Sequence, residues 1–279
     1  MLVIGDNCST DNTRSIIEKF SNNPNVYSIH REVNIGGIAN INDLLFNHCS
    51  TPYAVIMSDD DYYVDNEYLS NAVDILEGNP NIGFVHGEIE YDYNDGRITA
   101  NSKRKVEAIT KGHNFFMNFG NPQADYAYLM TVVFRTNLAK EVNFFFDKTI
   151  PHGDSLAWLK MSTKCDVGFI DRIVARYVMH GFNDITSPDI GRWLDDIKFI
   201  NIAHKYALDQ TDWDRDELSL WLKRQRRIYC GKILKMLRQE PTWMGYVKKI
   251  SQLQMEHNII SDSELVKDAI KSFISKAFK

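Results

Sequence analysis

Three short apolar runs in the first 60 residues each end in a cluster of Asp, Asn and Gly residues, and this repeated pattern limits the folds open to the chain. The runs at Leu2–Gly5, Val26–His30 and Tyr53–Met57 have the length and composition of strands. Apolar residues at helical spacing separate them: Ile16, Ile17 and Phe20 before the second run, and Ile38, Ile41, Leu44 and Leu45 before the third. Strands that alternate with helices predict an α/β fold with a mainly parallel or mixed sheet flanked by helices.

The pattern changes further along the chain. Ile82–Tyr91 reads as a strand, Asn94-Asp95-Gly96 as a tight turn and the segment from Arg97 as a returning strand, so an antiparallel or mixed region follows the first half. Asp154–Met161 is predicted to be a short helix. From about Asp189 onward Pro and Gly become sparse and the apolar period turns helical. We therefore predict an α/β domain over residues 1–189 and a helical C-terminal region over residues 190–279.

Composition and charge exclude several classes of protein. Hydrophobic residues make up 44% of the 279 residues and charged residues 25%, which is typical of a globular chain and excludes wholesale disorder. The 32 basic and 37 acidic residues give a net charge of −5, so we expect no nucleic-acid partner. The sequence predicts no signal peptide and no transmembrane helix, and the four scattered cysteines read as free thiols. These features predict a cytoplasmic protein.

The strongest local feature is the run of three carboxylates, Asp59-Asp60-Asp61, directly after the third apolar run. If the segment is extended, Asp59 and Asp61 point to one side and Asp60 turns away. Ligands of open α/β sheets gather at the carboxyl ends of strands, and hard carboxylate oxygens suit Mg²⁺ or Mn²⁺ with a substrate phosphate completing the shell. The competing interpretation is a solvated acidic turn that caps the helix starting near Asp65.

Two other metal or phosphate sites are disfavoured by individual residues. A calcium-binding EF-hand loop starting at Asp59 would need a ligand at its fifth position and Gly at its sixth, where Tyr63 and Val64 stand. A phosphatase of the haloacid dehalogenase type would need a small or β-branched residue at Tyr63 and an Asp at Trp158, four residues after Asp154.

Polar clusters also follow the first two apolar runs. Gly5–Thr13 follows the first, and Asn34-Ile35-Gly36-Gly37, with Asn40 and Asn42, follows the second. Because the carboxyl ends of parallel strands lie at one edge of a sheet, we expect the three clusters to converge. In this order and at this spacing, the segments resemble glycosyltransferase family 2. These are inverting nucleotide-sugar transferases of GT-A fold, whose strands end in D-[DN]-x-S-x-D-x-T, N-x-G and D-x-D.

The resemblance continues downstream and covers about residues 1–187. Pro151–Leu159 is similar to the family segment whose Asp is the catalytic base, although Gly153 stands where an acidic residue is usual. Ala175–Gly181 is similar to the closing Y-R-x-H-G element, often near the diphosphate or the metal. The run from Asn34 before the three carboxylates is also similar to transferases that build bacterial surface polysaccharides.

The resemblance implies a metal-dependent transfer of a sugar from a nucleotide-sugar donor to a saccharide or lipid-linked saccharide acceptor. It implies that Asp154 is the catalytic base and that Mn²⁺ or Mg²⁺ is held by Asp59, Asp61 and His180. It implies that the donor nucleotide is bound by Asp6, which would accept a base N–H, and by Asn7, Asn34, Gly36, Asp59 and Asp60. Purely structural roles stay open: an Asx-turn for Asp6, a helix cap for Asp154 and a satisfied structural histidine for His180.

One departure from the family pattern concerns the start of the chain. Family members begin with a further strand and helix, whereas this sequence opens on what reads as their second strand. We therefore expect an exposed strand edge, which favours pairing with a partner such as a second copy of the chain. The alternatives are a non-catalytic sugar-binding, nucleotide-binding or assembly protein of the same fold, and a nucleotidyltransferase. Residues 1–25 lack the Gly-rich, Lys/Arg-containing phosphate loop that a nucleotidyltransferase would need.

The C-terminal region contains a basic amphipathic stretch. Between Trp221 and Lys249 the sequence has nine Lys and Arg residues against one acid, Glu240, interleaved with Trp, Tyr and Leu. Such a helix is suited to the anionic inner face of the cell membrane, where lipid-linked acceptors are found. A helix packed on the catalytic domain with its basic face in solvent, or a dimer helix, would show the same pattern.

Overall fold

The computed structural model describes residues 1–100, 106–121, 124, 126–143, 153–180, 190–237, 244, 245 and 248. These residues belong to two compact units, an N-terminal unit that ends at His180 and a C-terminal unit that contains the helices from Ile190 onward. The domain boundary predicted at residue 189 lies outside the described residues.

The N-terminal unit opens with two parallel strands, β1 (Leu2–Asp6) and β2 (Val26–His30). Helix α1 (Thr13–Glu18) connects them, and α2 (Gly37–Asp43) follows β2 and continues into a π-helical turn at Leu44–His48. The predicted strands and helices are confirmed here. Of the three apolar residues at helical spacing before β2, Ile17 is buried, whereas Ile16 and Phe20 are exposed.

A second, mixed sheet forms the centre of the N-terminal unit. Its strands are β3 (Tyr53–Ala54), β4 (Tyr62–Tyr63), β5 (Ile82–Asp92), β6 (Ile98–Ala100), β7 (Ile109–Thr110), β8 (Val133–Arg135) and β9 (Asp166–Val178). The order is β3-β8-β5-β9-β4, with β6 on β5 and β7 on β9. The long strands β5 and β9 run parallel, and the other pairs of this sheet are antiparallel. The mixed α/β architecture is thus as predicted.

The third predicted strand is shorter than expected. The ladder of β3 covers only Tyr53 and Ala54, which pair with β8. Val55 and Met57 are instead packed by their side chains against the main core cluster. The apolar run therefore contributes to the core although most of it lies outside the ladder.

The core lies between the sheet and helix α3 (Tyr68–Gly78). Tyr68, Ala72 and Leu76 recur every four residues, so they line one face of α3, and all three are fully buried. They pack in one cluster with residues of β5 and β9: Ile82, Val85, Ile89, Val174 and Ala175. Burial of each large side chain contributes about 1.5–3 kcal/mol, so this cluster anchors the strands whose ends carry the candidate site.

Three further helices flank the sheet: α4 (Gly112–Asn118), α5 (Thr136–Glu141) and α6 (Gly153–Ser162). Phe84 of β5 packs between rings of these helices, with its centroid 5.5 Å from that of Phe115 and 5.4 Å from that of Trp158. α6 is buried almost throughout, which places its first turn, with Asp154, firmly against the sheet layer. The helix predicted at Asp154–Met161 is confirmed.

The C-terminal unit consists, where it is described, of α7 (Ile190–Gln210) and α8 (Arg215–Leu237). Phe199 of α7 meets Tyr229 of α8 edge to face at 5.8 Å between centroids, and Trp221 of α8 is also buried. The predicted helical character of residues 190–279 is thus seen up to Leu237; most of the remainder lies outside the described residues. Among the described helices none is long and apolar enough to cross a membrane.

Candidate functional site

The loops after β1 and β2 are tied together by two asparagines. Asn7 Nδ2 donates to Asn34 Oδ1 at 2.9 Å, and Asn7 Oδ1 accepts the backbone N–H of Ile35 at 3.0 Å. Asn34 Oδ1 also accepts the N–H of Gly36 at 2.9 Å. Gly36 has a φ of +87°, a conformation that glycine adopts without strain, and it leads directly into α2. Asn7, Asn34 and Gly36 are therefore brought together by the fold, as the two sequence clusters predict.

Asp6, the last residue of β1, is buried beside these loops. Its Oδ1 accepts the N–H of Ser9 at 2.9 Å, and its Oδ2 lies 3.1 Å from His30 Nδ1. Hydrogen bonds from Ser9, followed by those from His30, hold the pKa of Asp6 below its usual value despite the burial. Asp6 is consequently an ionised acceptor at the carboxyl end of β1.

An arginine network supports this end of the small sheet. The N–H of Arg31 donates to the backbone carbonyl of Asp6 at 3.0 Å, and the Arg31 side chain donates to Asn40 at 2.7 Å and to Asp43 at 2.6 Å. Asn40 in turn donates to the carbonyl of Gly5 at 2.8 Å. The Arg31 guanidinium lowers the pKa of Asp43, so this cross-link is ionic at neutral pH. Sequence reasoning placed Asn40 near this edge but did not include Arg31.

The three carboxylates lie beside the end of β9. Asp61 Oδ1 accepts the backbone N–H of Val178 at 3.0 Å. Burial raises the pKa of Asp61 to about 6, against the Val178 hydrogen bond, and the negative charges of Asp60 and Asp59 add to the increase. Asp61 is thus the carboxylate of the three that stands to gain most from a nearby cation.

Asp60 faces the same strand end. Its Oδ2 lies 2.8 Å from His180 Nε2. The expectation that Asp60 turns away from the side used by Asp61 is wrong, because it assumed an extended segment and residues 59 and 60 form a turn instead. In the part of the chain that the structure describes, no three His, Cys, Asp or Glu side chains are grouped as a metal site. The ligand set Asp59, Asp61 and His180 therefore stays a prediction.

Of the competing interpretation, the solvated turn is present at the exposed residues Asp59 and Asp60, but the run does not cap the helix. α3 begins at Tyr68, and it is Asp65 that serves its start, by accepting the N–H of Glu67 on Oδ1 at 2.9 Å. Asp65, which lies outside the acidic run, therefore already provides the side-chain acceptor near the start of α3. Magnesium and manganese commonly use one or two carboxylates plus substrate phosphates, and the oxygens of Asp59 and Asp61, one of them half-buried with a raised pKa, are of that type. The residues present thus fit a divalent cation.

Asp154 lies in the first turn of α6, half-buried between Gly153 and Ser155, which are fully buried. Its Oδ1 accepts the N–H of Ser155 at 2.7 Å, so part of its hydrogen-bonding capacity serves the helix start. Two predicted motif segments continue beyond the described residues, since Pro151 and His152 before this helix and Gly181 after His180 lie outside them.

A polar cluster beside the acidic run was not foreseen from the sequence. The Tyr62 hydroxyl donates to Asp92 at 3.1 Å, Arg176 Nε donates to Glu90 at 2.9 Å, and Arg176 Nη1 donates to the Tyr62 hydroxyl at 3.3 Å. These contacts link β4, the strand that begins immediately after Asp61, to β5 and β9. Only the register β4–β9, in which Tyr62 pairs with Arg176, would have revealed them.

The two neighbouring tyrosines differ. Tyr63 points into the core, where its hydroxyl donates to the Met130 carbonyl at 2.9 Å, whereas Tyr62 is 41% exposed. Tyr63 is therefore a core residue.

Comparisons with known proteins agree with this architecture. Residues 2–139 match the family model described as glycosyl transferase family 2. Solved structures of similar fold include residues 1–349 of S. aureus TarS in complex with UDP-GlcNAc, at a TM-score of 0.62 and 18% identity, covering 84% of this chain and 71% of that one. The complex of the same TarS segment with UDP gives a TM-score of 0.58, 18% identity and coverages of 86% and 71%.

A longer S. aureus TarS structure matches 98% of this chain and 42% of its own length, with a TM-score of 0.56 and 18% identity. No curated protein sequence matches the chain significantly. At 18% identity the likeness to TarS shows the fold, which is the GT-A glycosyltransferase fold.

Proposed function

Residues 2–139 are a glycosyl transferase family 2 domain with the GT-A fold, and on this premise we propose that the chain is a metal-dependent, inverting glycosyltransferase of polysaccharide biosynthesis. Its donor would be a uridine diphosphate sugar, since the similar TarS structures hold UDP-GlcNAc and UDP. Its acceptor would be a saccharide or a lipid-linked saccharide.

One observation carries the proposal. Two motifs that lie about 120 residues apart in the chain meet at the end of β9, through the contacts of Asp61 with Val178 and of Asp60 with His180. Ionising the half-buried Asp61 beside two other carboxylates is costly, and its pKa, raised to about 6 by burial and by the charges of Asp60 and Asp59, expresses that cost. A metal–diphosphate group is a ligand that would remove it.

In this proposal, Asp61 and Asp59 hold Mn²⁺ or Mg²⁺ against the donor diphosphate. When bound, the cation neutralises the charge that develops on the departing diphosphate. His180, held by Asp60, would stand beside the same phosphates or the cation. The Val178 N–H orients Asp61, so that one of its oxygens is already fixed before the donor arrives.

The nucleoside would lie against the loops after β1 and β2. Asp6 is an acceptor-only carboxylate there, suited to a base N–H. The Asn7–Asn34 hydrogen bond fixes the shape of the two loops relative to each other, so the pocket wall would need little rearrangement on binding.

Asp154 would act as the general base. It would take the proton from the acceptor hydroxyl while that oxygen forms the new bond to the anomeric carbon and the bond to the diphosphate breaks. Attack from the face opposite the leaving group inverts the anomeric configuration. The helix dipole at the start of α6 favours the ionised carboxylate that this step requires.

We further propose that this cytoplasmic enzyme works at the inner face of the cell membrane. α8 has no Asp or Glu between Leu218 and Leu237, and Lys223, Arg224 and Arg227 on it are exposed. Such a basic surface favours an anionic lipid face, where a lipid-linked acceptor would be presented. Other members of the predicted basic stretch, Arg238 and Lys249, lie outside the described residues.

Calorimetry of UDP binding, with and without Mn²⁺, tests the donor site. We expect UDP to bind in the presence of Mn²⁺ and binding to fall at least about tenfold without the metal or in Asp61→Ala. Asp171→Ala is the matched control, since Asp171 is an exposed carboxylate on β9 and should leave binding unchanged. The proposal would be contradicted if UDP binding depended on neither the metal nor Asp61, or if no nucleotide bound at all. Either result would favour a non-catalytic protein.

The same protein preparations test the chemical step. Asp154→Asn should bind UDP like the wild type but lose sugar transfer by a factor of about 10² or more, because general-base catalysis typically contributes 10²–10⁴. An unchanged rate of sugar transfer in this variant would mean that Asp154 has only a structural role at the start of α6.

A further inference from the structure

We propose that His30 is a positioning residue that holds the Asp6 carboxylate in the orientation needed to accept a nucleobase N–H. This inference rests on the proposed function, because it assigns a role within the proposed nucleotide site. His30 does not belong to any of the motifs by which the chain resembles its family. It is identified instead by the strand register that places it opposite Asp6.

The register of the small sheet places the two residues opposite each other. β1 and β2 are parallel, and Asp6 pairs with His30 at their last position. Their side chains meet, with 3.1 Å between His30 Nδ1 and Asp6 Oδ2. The Asp6 side chain is 4% exposed and that of His30 is 20% exposed, so water competes little for this contact.

Asp6 is held in place by contacts with three residues. Ser9 donates its N–H to Oδ1, His30 lies against Oδ2, and the next residue, Arg31, donates its N–H to the Asp6 backbone carbonyl. The side chain therefore has one donor on each oxygen. Without His30, one oxygen of a buried carboxylate would lack a donor, and the group would lose its fixed plane.

These contacts leave acceptor sites on the Asp6 carboxylate for a ligand of defined chemistry. A carboxylate has about four acceptor sites, and Ser9 and His30 use two of them. Because an ionised carboxylate accepts only, it would bind a base that presents a ring N–H, as uracil does at N3. It would disfavour cytosine, which presents an acceptor at the same ring position. For His30 to donate through Nδ1, that nitrogen must carry a proton.

His30→Leu and His30→Asn, titrated with UDP and CDP in the presence of Mn²⁺, test the inference. The Asn side chain can place its amide N–H near the position of Nδ1, whereas Leu has no donor. We expect UDP affinity to fall about tenfold in His30→Leu and to stay within about threefold of wild type in His30→Asn. The preference for UDP over CDP should shrink in His30→Leu. In a transfer assay its KM for the donor should rise while kcat at saturating donor stays within about twofold.

His48→Leu is the matched control. His48 Nε2 lies 3.3 Å from Asp43, and its side chain is 28% exposed, so it is a similar His–Asp pair in the same unit that does not touch Asp6. Equal UDP affinity in wild type and His30→Leu overturns the inference, as does equal weakening in His30→Leu and His48→Leu. If His30→Leu does not fold, His30→Gln replaces it, because its amide reaches past the Nδ1 position. If the wild type itself binds no nucleotide, the proposed function has failed instead.

Discussion

Asp61 is the residue at which burial and charge oppose each other most clearly in the described structure. A carboxylate that only supported the fold would be expected to have a pKa at or below its usual value, as Asp43 does. The pKa of Asp61 is instead raised to about 6. Because the folded-state pKa lies above the unfolded value, its contribution to stability is fully present below about pH 4 and is lost as the pH rises through about 6.

Asp61→Asn should therefore stabilise the metal-free protein at pH 8 and leave it unchanged at pH 4. We expect a gain of about 1 kcal/mol in the free energy of unfolding, a value that allows for the partial exposure of the side chain. Urea denaturation at both pH values, in the presence of a chelator, measures it. Asp171→Asn is the control and should have no effect at either pH. A loss of stability at pH 8 would mean that Asp61 mainly anchors the end of β9.

At the scale of elements, the packing of α4 depends on a close approach of two backbones. Gly112, the first residue of α4, is buried, and a Cβ atom there would lie 2.1 Å from the carbonyl oxygen of Ser162 and 2.1 Å from that of Cys165. Neither is the end of a flexible side chain. The start of α4 can therefore approach the end of α6 only with glycine at this position.

Gly112→Ala should consequently destabilise the protein by about 2–4 kcal/mol, because backbone must move to make room. Gly231→Ala is the control with the opposite expectation. Gly231 lies within α8, and a Cβ atom added there would meet no neighbouring atom within 4 Å. Alanine should therefore raise the free energy of unfolding by about 0.5–1 kcal/mol. Chemical denaturation followed by circular dichroism compares the two. Similar effects of both substitutions would contradict the close contact.

At the scale of the whole molecule, the net charge of −5 hides an uneven distribution. The acidic run of the candidate site belongs to the N-terminal unit, whereas α8 of the C-terminal unit carries exposed Lys223, Arg224 and Arg227. Leu220, on the same helix, is 64% exposed. A protein that is acidic overall can therefore still present one basic helix to an anionic surface.

Vesicle binding tests this distribution. We expect the protein to sediment with vesicles containing about 30% phosphatidylglycerol at low salt and to be released at about 0.5 M NaCl, because the attraction is screened. Lys223→Glu/Arg227→Glu should reduce binding at least about tenfold, since each basic residue contributes about 1 kcal/mol. Arg14→Glu/Lys19→Glu, on exposed residues of the N-terminal unit, is the matched control. Equal loss in both variants would argue against a specific role of α8.

Elements with strong local signals could be predicted from the amino-acid sequence alone. The strands β1, β2 and β5, helix α6 and the turn after β5 follow from periodicity and turn residues, and the structure places them within one or two residues of the predicted bounds. The pairing of Asn7 with Asn34 could also be anticipated, because both residues follow the carboxyl ends of adjacent parallel strands.

Contacts that depend on strand register and long-range pairing arise only when the chain has folded. His30 meets Asp6, Arg176 meets Tyr62, and Asp60 meets His180 because strands far apart in the chain align at particular residues. Local propensity carries no information on such alignment. The turn at Asp59 and Asp60, where the Asp61 N–H donates to the Ser58 carbonyl at 3.4 Å, overrides the alternation expected of an extended segment. The residue types of the candidate site were thus readable from the sequence, whereas their partners and the raised pKa of Asp61 arise from packing.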